Sequence, residues 1–178
     1  MKIGLLRHFK VTRGYPSFFI TSDELREWVR EYDHSEVEAC EVNLKGIEWE
    51  CCYASDLDRA VQTAQAIYSG QVELREELRE IPLSPLFSTK MKLPLHVHLL
   101  LIRSAWYFNH PSQMETKSMV MDRINRVVEE AVQQNKNILI VGHGGVMIFM
   151  RKALIKRGFA GPSFSRAENG KLYVYEKS

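Results

Sequence analysis

Cysteine is scarce in this sequence. Cys40, Cys51 and Cys52 are the only three, and neither their number nor their spacing suits a disulfide framework, a metal site or a redox motif. They are expected as buried thiols in a reducing compartment. Net charge is also small, +2 over 178 residues, so no global field draws the chain to nucleic acid and any taste for anions must come from a local cluster. Long apolar runs are missing. The most hydrophobic stretch, Leu93 to Phe108, falls short of a membrane span and is broken by His96, His98 and Arg103. It is expected to be buried in the protein or in a homodimer contact, with no membrane partner. The apolar start is too short for a signal peptide and runs into Arg7 and His8, which predicts a cytoplasmic protein. There is no internal repeat and no low-complexity segment. What remains is the composition of one globular domain large enough for a real core.

The chain opens on Lys2-Ile3-Gly4-Leu5-Leu6-Arg7-His8-Phe9. Ile3 to Leu6 reads as a strand buried on both faces, and it stops abruptly at an Arg-His pair followed by a turn-rich loop. In open α/β sheets the carboxyl end of a strand is where ligands bind. Imidazole beside guanidinium there suggests a nucleophile next to an anion clamp, although such a dipeptide alone is more often just a strand end. Thr21 with Glu24 makes a capping box for a helix to about Tyr32, with Leu25, Trp28 and Val29 on its apolar face. Glu50 to Ala54 is a second strand, and the helix after it places Arg59 in its first turn. A cation adds to the positive end of a helix there, a local conflict that makes sense if both face an anion. Val72 to Leu74 is a third strand. Residues 82–114 hold four of the six prolines and read as an irregular inserted cap, in which His96 and His98 alternate as on a strand. As a pair they fit a surface or core position better than a metal site, since no further ligand is near in sequence. A helix from about Glu115 to Gln134 follows, with Met119, Met121, Ile124, Val127, Val128 and Ala131 for its buried side. Asn137 to Gly142 is an aliphatic run typical of the centre of a parallel sheet, and it ends in His143-Gly144-Gly145 before a helix from Val146 to Lys156. Lys171 to Glu176 alternates and closes the chain as a strand.

Three strand ends thus bring Arg7, His8, Arg59 and His143 to one sheet edge, a cluster that needs an anionic partner. Leu5-Leu6-Arg7-His8, the stretch from Ala54 through Asp56, Arg59 and Thr63 to Ala64, Leu78-Arg79-Glu80-Ile81 and Val141-Gly142-His143-Gly144-Gly145 together resemble, in order and spacing, the motifs of the histidine phosphatase superfamily, also called phosphoglycerate mutase-like. The resemblance implies a three-layer α/β/α sandwich with a mostly parallel central sheet, spanning residues 1–178 as one domain with its cap inserted at about 82–114. It implies a phosphatase acting on a small phosphorylated substrate, without metal or other cofactor. In that reading His8 attacks phosphorus to give a phosphohistidine, Arg7, Arg59 and His143 hold the phosphoryl oxygens, and Glu80 protonates the leaving oxygen. Its catalytic residues are then His8, Glu80 and His143.

The chain departs from the family pattern where glycine usually follows the histidine. Phe9 stands there, followed by Lys10 and Val11. Lys10 and Arg13 either replace the missing loop contacts to phosphate or simply face solvent. Glu76 and Glu77 compete with Glu80 for the acid role. Met114-Glu115-Thr116 is similar to a Gly-Glu-Ser stretch of many members, without the glycine, and Glu115 also fits a helix start. His34 and His110 are taken as structural. Two other functions stay open, a phosphate- or phosphopeptide-binding module with little turnover, for which Phe9 is the main argument, and a mutase-like phosphotransferase. The aromatic stretch Leu99 to Phe108 suits either a lipophilic leaving group or a dimer contact.

Overall fold

A computed structural model of the chain describes residues 1–88 and 90–177. Its centre is a five-stranded sheet built from β1 (Lys2–Arg7), β5 (Cys51–Ser55), β6 (Val72–Arg75), β8 (Ile138–Gly142) and β9 (Leu172–Glu176), in the order β6-β5-β8-β1-β9. All neighbours are parallel except β9, which runs antiparallel to β1 at the edge. The aliphatic run predicted for the middle is the middle: every residue of β8 is buried, as a strand covered on both faces requires.

Side-chain alternation sorts the core into two layers. Ile3, Leu5, Ile138 and Ile140 pack with α4 (Lys117–Gln134) and α5 (Gly144–Lys156) on one face. Leu6, Cys52, Ala54, Leu139 and Val141 pack with Ala60 and Ala64 of α2 (Asp58–Ile67) and with Trp49 on the other. This is the three-layer sandwich expected from the sequence.

A third, smaller core lies apart from the sheet, and it corrects the sequence reading in two places. The loop after His8 is not bare: β2 (Lys10–Val11) pairs with β4 (Val37–Glu38), and β3 (Phe19–Ile20) pairs with β7 (Leu93–Pro94). The stretch from Leu93 is not irregular either, because Leu95–Tyr107 form a helix, α3. On it His96 and His98 are two residues apart and do not share a face. His98 is buried with Nε2 3.0 Å from the Ile20 carbonyl, while exposed His96 lies against Phe18. Ile20, Leu25, Trp28 and Ile102 form the buried centre of this lobe, joined by Val29, Tyr32, Leu83 and Leu95. Two separate stretches of chain therefore build it, the one after His8 and the one after Glu80. The helix α1 (Ser22–Asp33) belongs to it and carries the predicted capping box, with Glu24 N donating to Thr21 Oγ1 and Thr21 N to the Glu24 carboxylate. The following long helix begins later than expected, at Lys117 with Thr116 as its cap, so Met119 is exposed and Val120 buried. Among the described residues no helix is long and apolar enough to cross a membrane.

Candidate active site

Strand register assembles the site. β1 and β8 are parallel with Arg7 opposite Gly142, so the next residue on each, His8 and His143, emerges side by side. Their rings lie 5.2 Å apart, centre to centre. The His8 amide donates to the Gly142 carbonyl at 3.0 Å, extending the pairing past the end of the sheet. β5 is also parallel to β8, and the helix that leaves it brings Arg59 to the same edge.

His8 is buried, and its Nδ1 is 2.6 Å from the Phe9 carbonyl. A carbonyl only accepts, so Nδ1 carries the proton and Nε2 keeps its lone pair. Burial first, then the charges of Arg59 and Arg7, push the His8 pKa down to about 3, against the pull of the Phe9 hydrogen bond. The imidazole is therefore neutral across the physiological range, with a free basic nitrogen. His143 is fully buried and neither ring nitrogen has a hydrogen-bond partner among the described residues. Burial, then Arg59, His8, Arg7 and Arg123 in turn, holds it well below the usual histidine range. Arg7 and Arg59 each leave a buried Nε unpartnered as well. Arg7 donates from one terminal nitrogen to the Ala167 carbonyl at 2.9 Å. Unpaired buried donors are costly, and here they belong to two arginines and a histidine clustered about His8. An anion with several acceptor oxygens would satisfy them together.

Glu80 is the carboxylate that reaches this edge. Its oxygens accept from the amides of Gly145 at 3.0 Å, Val146 at 3.2 Å and Ile81 at 3.0 Å. It thereby caps α5, whose own N-cap residue His143 makes no side-chain cap bond. The approach depends on glycine: a Cβ at Gly145 would stand 2.6 Å from Glu80 Oε1. Glu76 is exposed beside Arg79, and the backbone carbonyl of Glu77 accepts from Arg123. Arg123 is buried and paired at both ends with the Glu115 carboxylate, 3.0 Å each. Glu115 is thus the counterion of a buried arginine rather than a helix-start residue.

Lys10 and Arg13 are not brought to the histidines. Lys10 pairs with Glu38 at 2.9 Å and Arg13 with Glu31 at 2.8 Å, all four side chains well exposed. The Phe9 ring has its own place in the core. It is buried against Gly170, where a Cβ would come within 3.3 Å of it and within 2.7 Å of Cys40 Sγ. Gly170 also has φ +68°, a conformation in which side chains are strained.

Four contributors escaped the sequence reading. Thr63 accepts from the Phe9 amide at 2.9 Å while donating to the Arg59 carbonyl at 2.7 Å. Asn169 Nδ2 donates to the His8 carbonyl at 2.8 Å and the Phe9 carbonyl at 3.3 Å, fixing the loop that orients the imidazole. Asn169-Gly170 signals only a turn, and nothing in its spacing points to the site. Tyr32 lies under Arg59, whose guanidinium carbon is 5.2 Å from the ring centre. Asp33 accepts from Arg59 at 2.6 Å. A signal for Asp33 was there: it is the last residue of α1, where a carboxylate adds to the negative end of the helix, just as Arg59 adds to the positive end of α2. Each misplaced charge answers the other. With its side chain 4% exposed, Arg59 left without this partner would be a nearly buried lone cation. Asp33→Ala should therefore destabilise the protein by about 1–3 kcal/mol, below the range for a fully buried pair because Asp33 itself is partly exposed. Urea unfolding with and without vanadate checks this: the bound anion replaces the counterion, so vanadate should stabilise the variant by more than it stabilises the native protein and the deficit should shrink.

Residues 31–177 match the sequence profile of the histidine phosphatase superfamily, branch 1. The match leaves Arg7 and His8 outside, so their place in the cluster is read from geometry. No curated protein matches the chain. Similar solved structures include a candidate alpha-ribazole-5'-P phosphatase of Escherichia coli, 21% identical over 98% of this chain and 89% of its own, with a TM-score of 0.63. A phosphoserine phosphatase of Entamoeba histolytica in complex with 3-phosphoglyceric acid is 18% identical over 97% and 89%, with a TM-score of 0.57. A mycobacterial glucosyl-3-phosphoglycerate phosphatase is 19% identical over 87% and 79%, with a TM-score of 0.56. At these identities the likeness is one of fold.

Proposed function

The chain belongs to the histidine phosphatase superfamily, and from that footing we propose that it is a phosphomonoester phosphatase working through phosphohistidine on His8. The observation that carries the reading is the pairing of a free Nε2 on neutral His8 with the unpartnered nitrogens of His143, Arg7 and Arg59 around it. A nucleophile without an anion pocket, or a pocket without a nucleophile, would not support it.

In the first half-reaction the His8 Nε2 lone pair forms a bond to phosphorus as the bond to the ester oxygen breaks. Glu80 in its protonated form gives that oxygen its proton, and the alcohol leaves. In the second, water attacks phosphorus, the nitrogen–phosphorus bond breaks, and the water's proton returns to the Glu80 carboxylate. Inorganic phosphate leaves and His8 is regenerated. Phosphoryl transfer asks chiefly for in-line positioning and neutralised equatorial oxygens. Arg7, Arg59 and His143 supply both, arginine through its planar fork. Turnover should therefore persist in EDTA. The lobe formed with residues 82–114 is read as the cap over this edge. Alpha-ribazole, phosphoserine and glucosyl-3-phosphoglycerate phosphatases share the fold with one another, so the fold alone does not select the alcohol.

Hydrolysis of p-nitrophenyl phosphate in EDTA tests the proposal. Phosphate release that survives chelation is expected. Tight vanadate binding with no release of phosphate from any monoester would replace it with the binding-module reading. That reading has lost its main argument, since the Phe9 ring is buried against Gly170 rather than standing in the way.

A further inference from the structure

From the phosphate clamp a row of aromatic rings leads out to solvent. Tyr32 lies under Arg59, 5.2 Å from guanidinium carbon to ring centre. Trp28 is 5.2 Å from Tyr32, and Tyr15 stacks on Trp28 at 6.1 Å with the planes 16° apart. Arg59 is 3% exposed and Trp28 8%, Tyr32 between them is half-buried, and Tyr15 at the outer end is 72% exposed. Trp28 is held by a 2.8 Å bond from Nε1 to the Gly14 carbonyl, which pins the loop carrying Tyr15. The inner end belongs to the reaction edge, since the charges of Arg59, Arg7 and Glu80 all act on the Tyr32 phenol, as does Tyr15.

Resting on the phosphatase reading, we infer that Tyr15, Trp28 and Tyr32 form the subsite for the alcohol half of the substrate, and that it takes an uncharged, planar aromatic group. Planarity follows from the parallel Tyr15–Trp28 pair, which leaves Tyr15 largely open for a further ring to stack. The lack of charge follows from the ion pairs around the row. Every cation of α1 and of the loop before it is committed to a carboxylate: Lys10 to Glu38, Arg13 to Glu31, Arg26 to Asp23 and Arg30 to Glu27. None is left for a second phosphate or a carboxylate on the substrate. Arg59 faces the row only through the Tyr32 ring and Asp33.

Phosphonates test this without needing turnover. 4-Phenylbutylphosphonate and 4-cyclohexylbutylphosphonate match in size and charge, differ in planarity and carry the ring on a chain long enough to pass Tyr32 toward Tyr15, so calorimetric titration of each into the protein isolates stacking. The native protein should bind the phenyl compound about fivefold tighter, the scale of one added aromatic pair. Tyr15→Ala, an exposed position safe for folding, should bring the ratio close to one. Tyr107→Ala, an exposed aromatic outside the row, should leave it unchanged. Equal affinity in the native protein, or a preference that survives both Tyr15→Ala and Tyr32→Leu, overturns the subsite while leaving the phosphatase standing. Failure of vanadate and both phosphonates to bind would remove the anion pocket, and the subsite with it.

Discussion

His8→Ala is expected to lower turnover of p-nitrophenyl phosphate by about 10⁵-fold, on the scale seen when a covalent nucleophile is deleted, while vanadate still binds. The two halves of this prediction come from different atoms. Nε2 of His8 is the free nitrogen in the cluster with a defined lone pair, because Nδ1 is committed to the Phe9 carbonyl. Arg7, Arg59 and His143, which would hold the anion, owe their places to Ala167, to Asp33 and to the Gly142–Gly144 turn rather than to His8. His143 is not expected to stand in as nucleophile, since it is fully buried and follows a different strand. Single-turnover phosphate release by the native protein and the variant is the measurement. Residual activity above about a hundredth of native, with the variant folded, would remove His8 from the role. Asn169→Ala offers a graded comparison: it leaves Nε2 in place but frees the loop carbonyl that fixes the imidazole, so a smaller loss with little change in vanadate affinity is expected.

The reaction edge was legible in the sequence because parallel strands fix it locally. Each apolar run that stops at a charged or glycine-rich turn marks a carboxyl end, and all such ends of a parallel sheet fall on one side. Arg7, His8, Arg59 and His143 could be placed together without knowing any distance. What stayed hidden depends on pairing between distant segments. β3 and β7 are two residues each, too short for alternation to register, and they form because the loop after His8 meets the start of α3. That helix gives no start signal: Pro94 stands at its N-cap without a side-chain bond, and no acidic residue lies in its first turn. Lys10 and Arg13 were drawn toward phosphate by their nearness in sequence to His8, whereas Glu38 and Glu31, distant in sequence, claim them. Asp33 was legible in principle, yet only once the contrary charges at the ends of α1 and α2 were read as a pair.

Acid should destabilise this protein steeply well before its carboxylates protonate. His8 is 2% exposed and His143 not exposed at all, and both are held neutral by burial and the neighbouring arginines. For His8 the native pKa of about 3 lies below the unfolded value near 6.5. Between those values the unfolded chain binds a proton that the native protein refuses, so stability rises with pH through the window and falls as pH drops below 6.5. Each such histidine contributes a slope of about 1.4 kcal/mol per pH unit. From pH 7 to pH 5 His8 alone should remove about 2 kcal/mol, and His143 adds to the loss in the same direction, against the roughly 5–15 kcal/mol that holds a domain folded. Urea unfolding in phosphate-free buffer at the two pH values measures this directly, and His8→Asn should remove about 2 kcal/mol of the loss. A flat profile would mean that the histidines are not held neutral as described. Saturating vanadate should flatten the native profile as well, because an anion among Arg7, Arg59 and the two rings offsets the positive field and makes a protonated imidazole tolerable. Without a bound anion the His8 imidazole itself stays neutral to well below pH 6.5. Activity lost at pH 5 should therefore track unfolding and be protected by a bound anion, whereas loss from a fully folded protein would mean that the substrate complex, rather than the fold, takes up the inactivating proton.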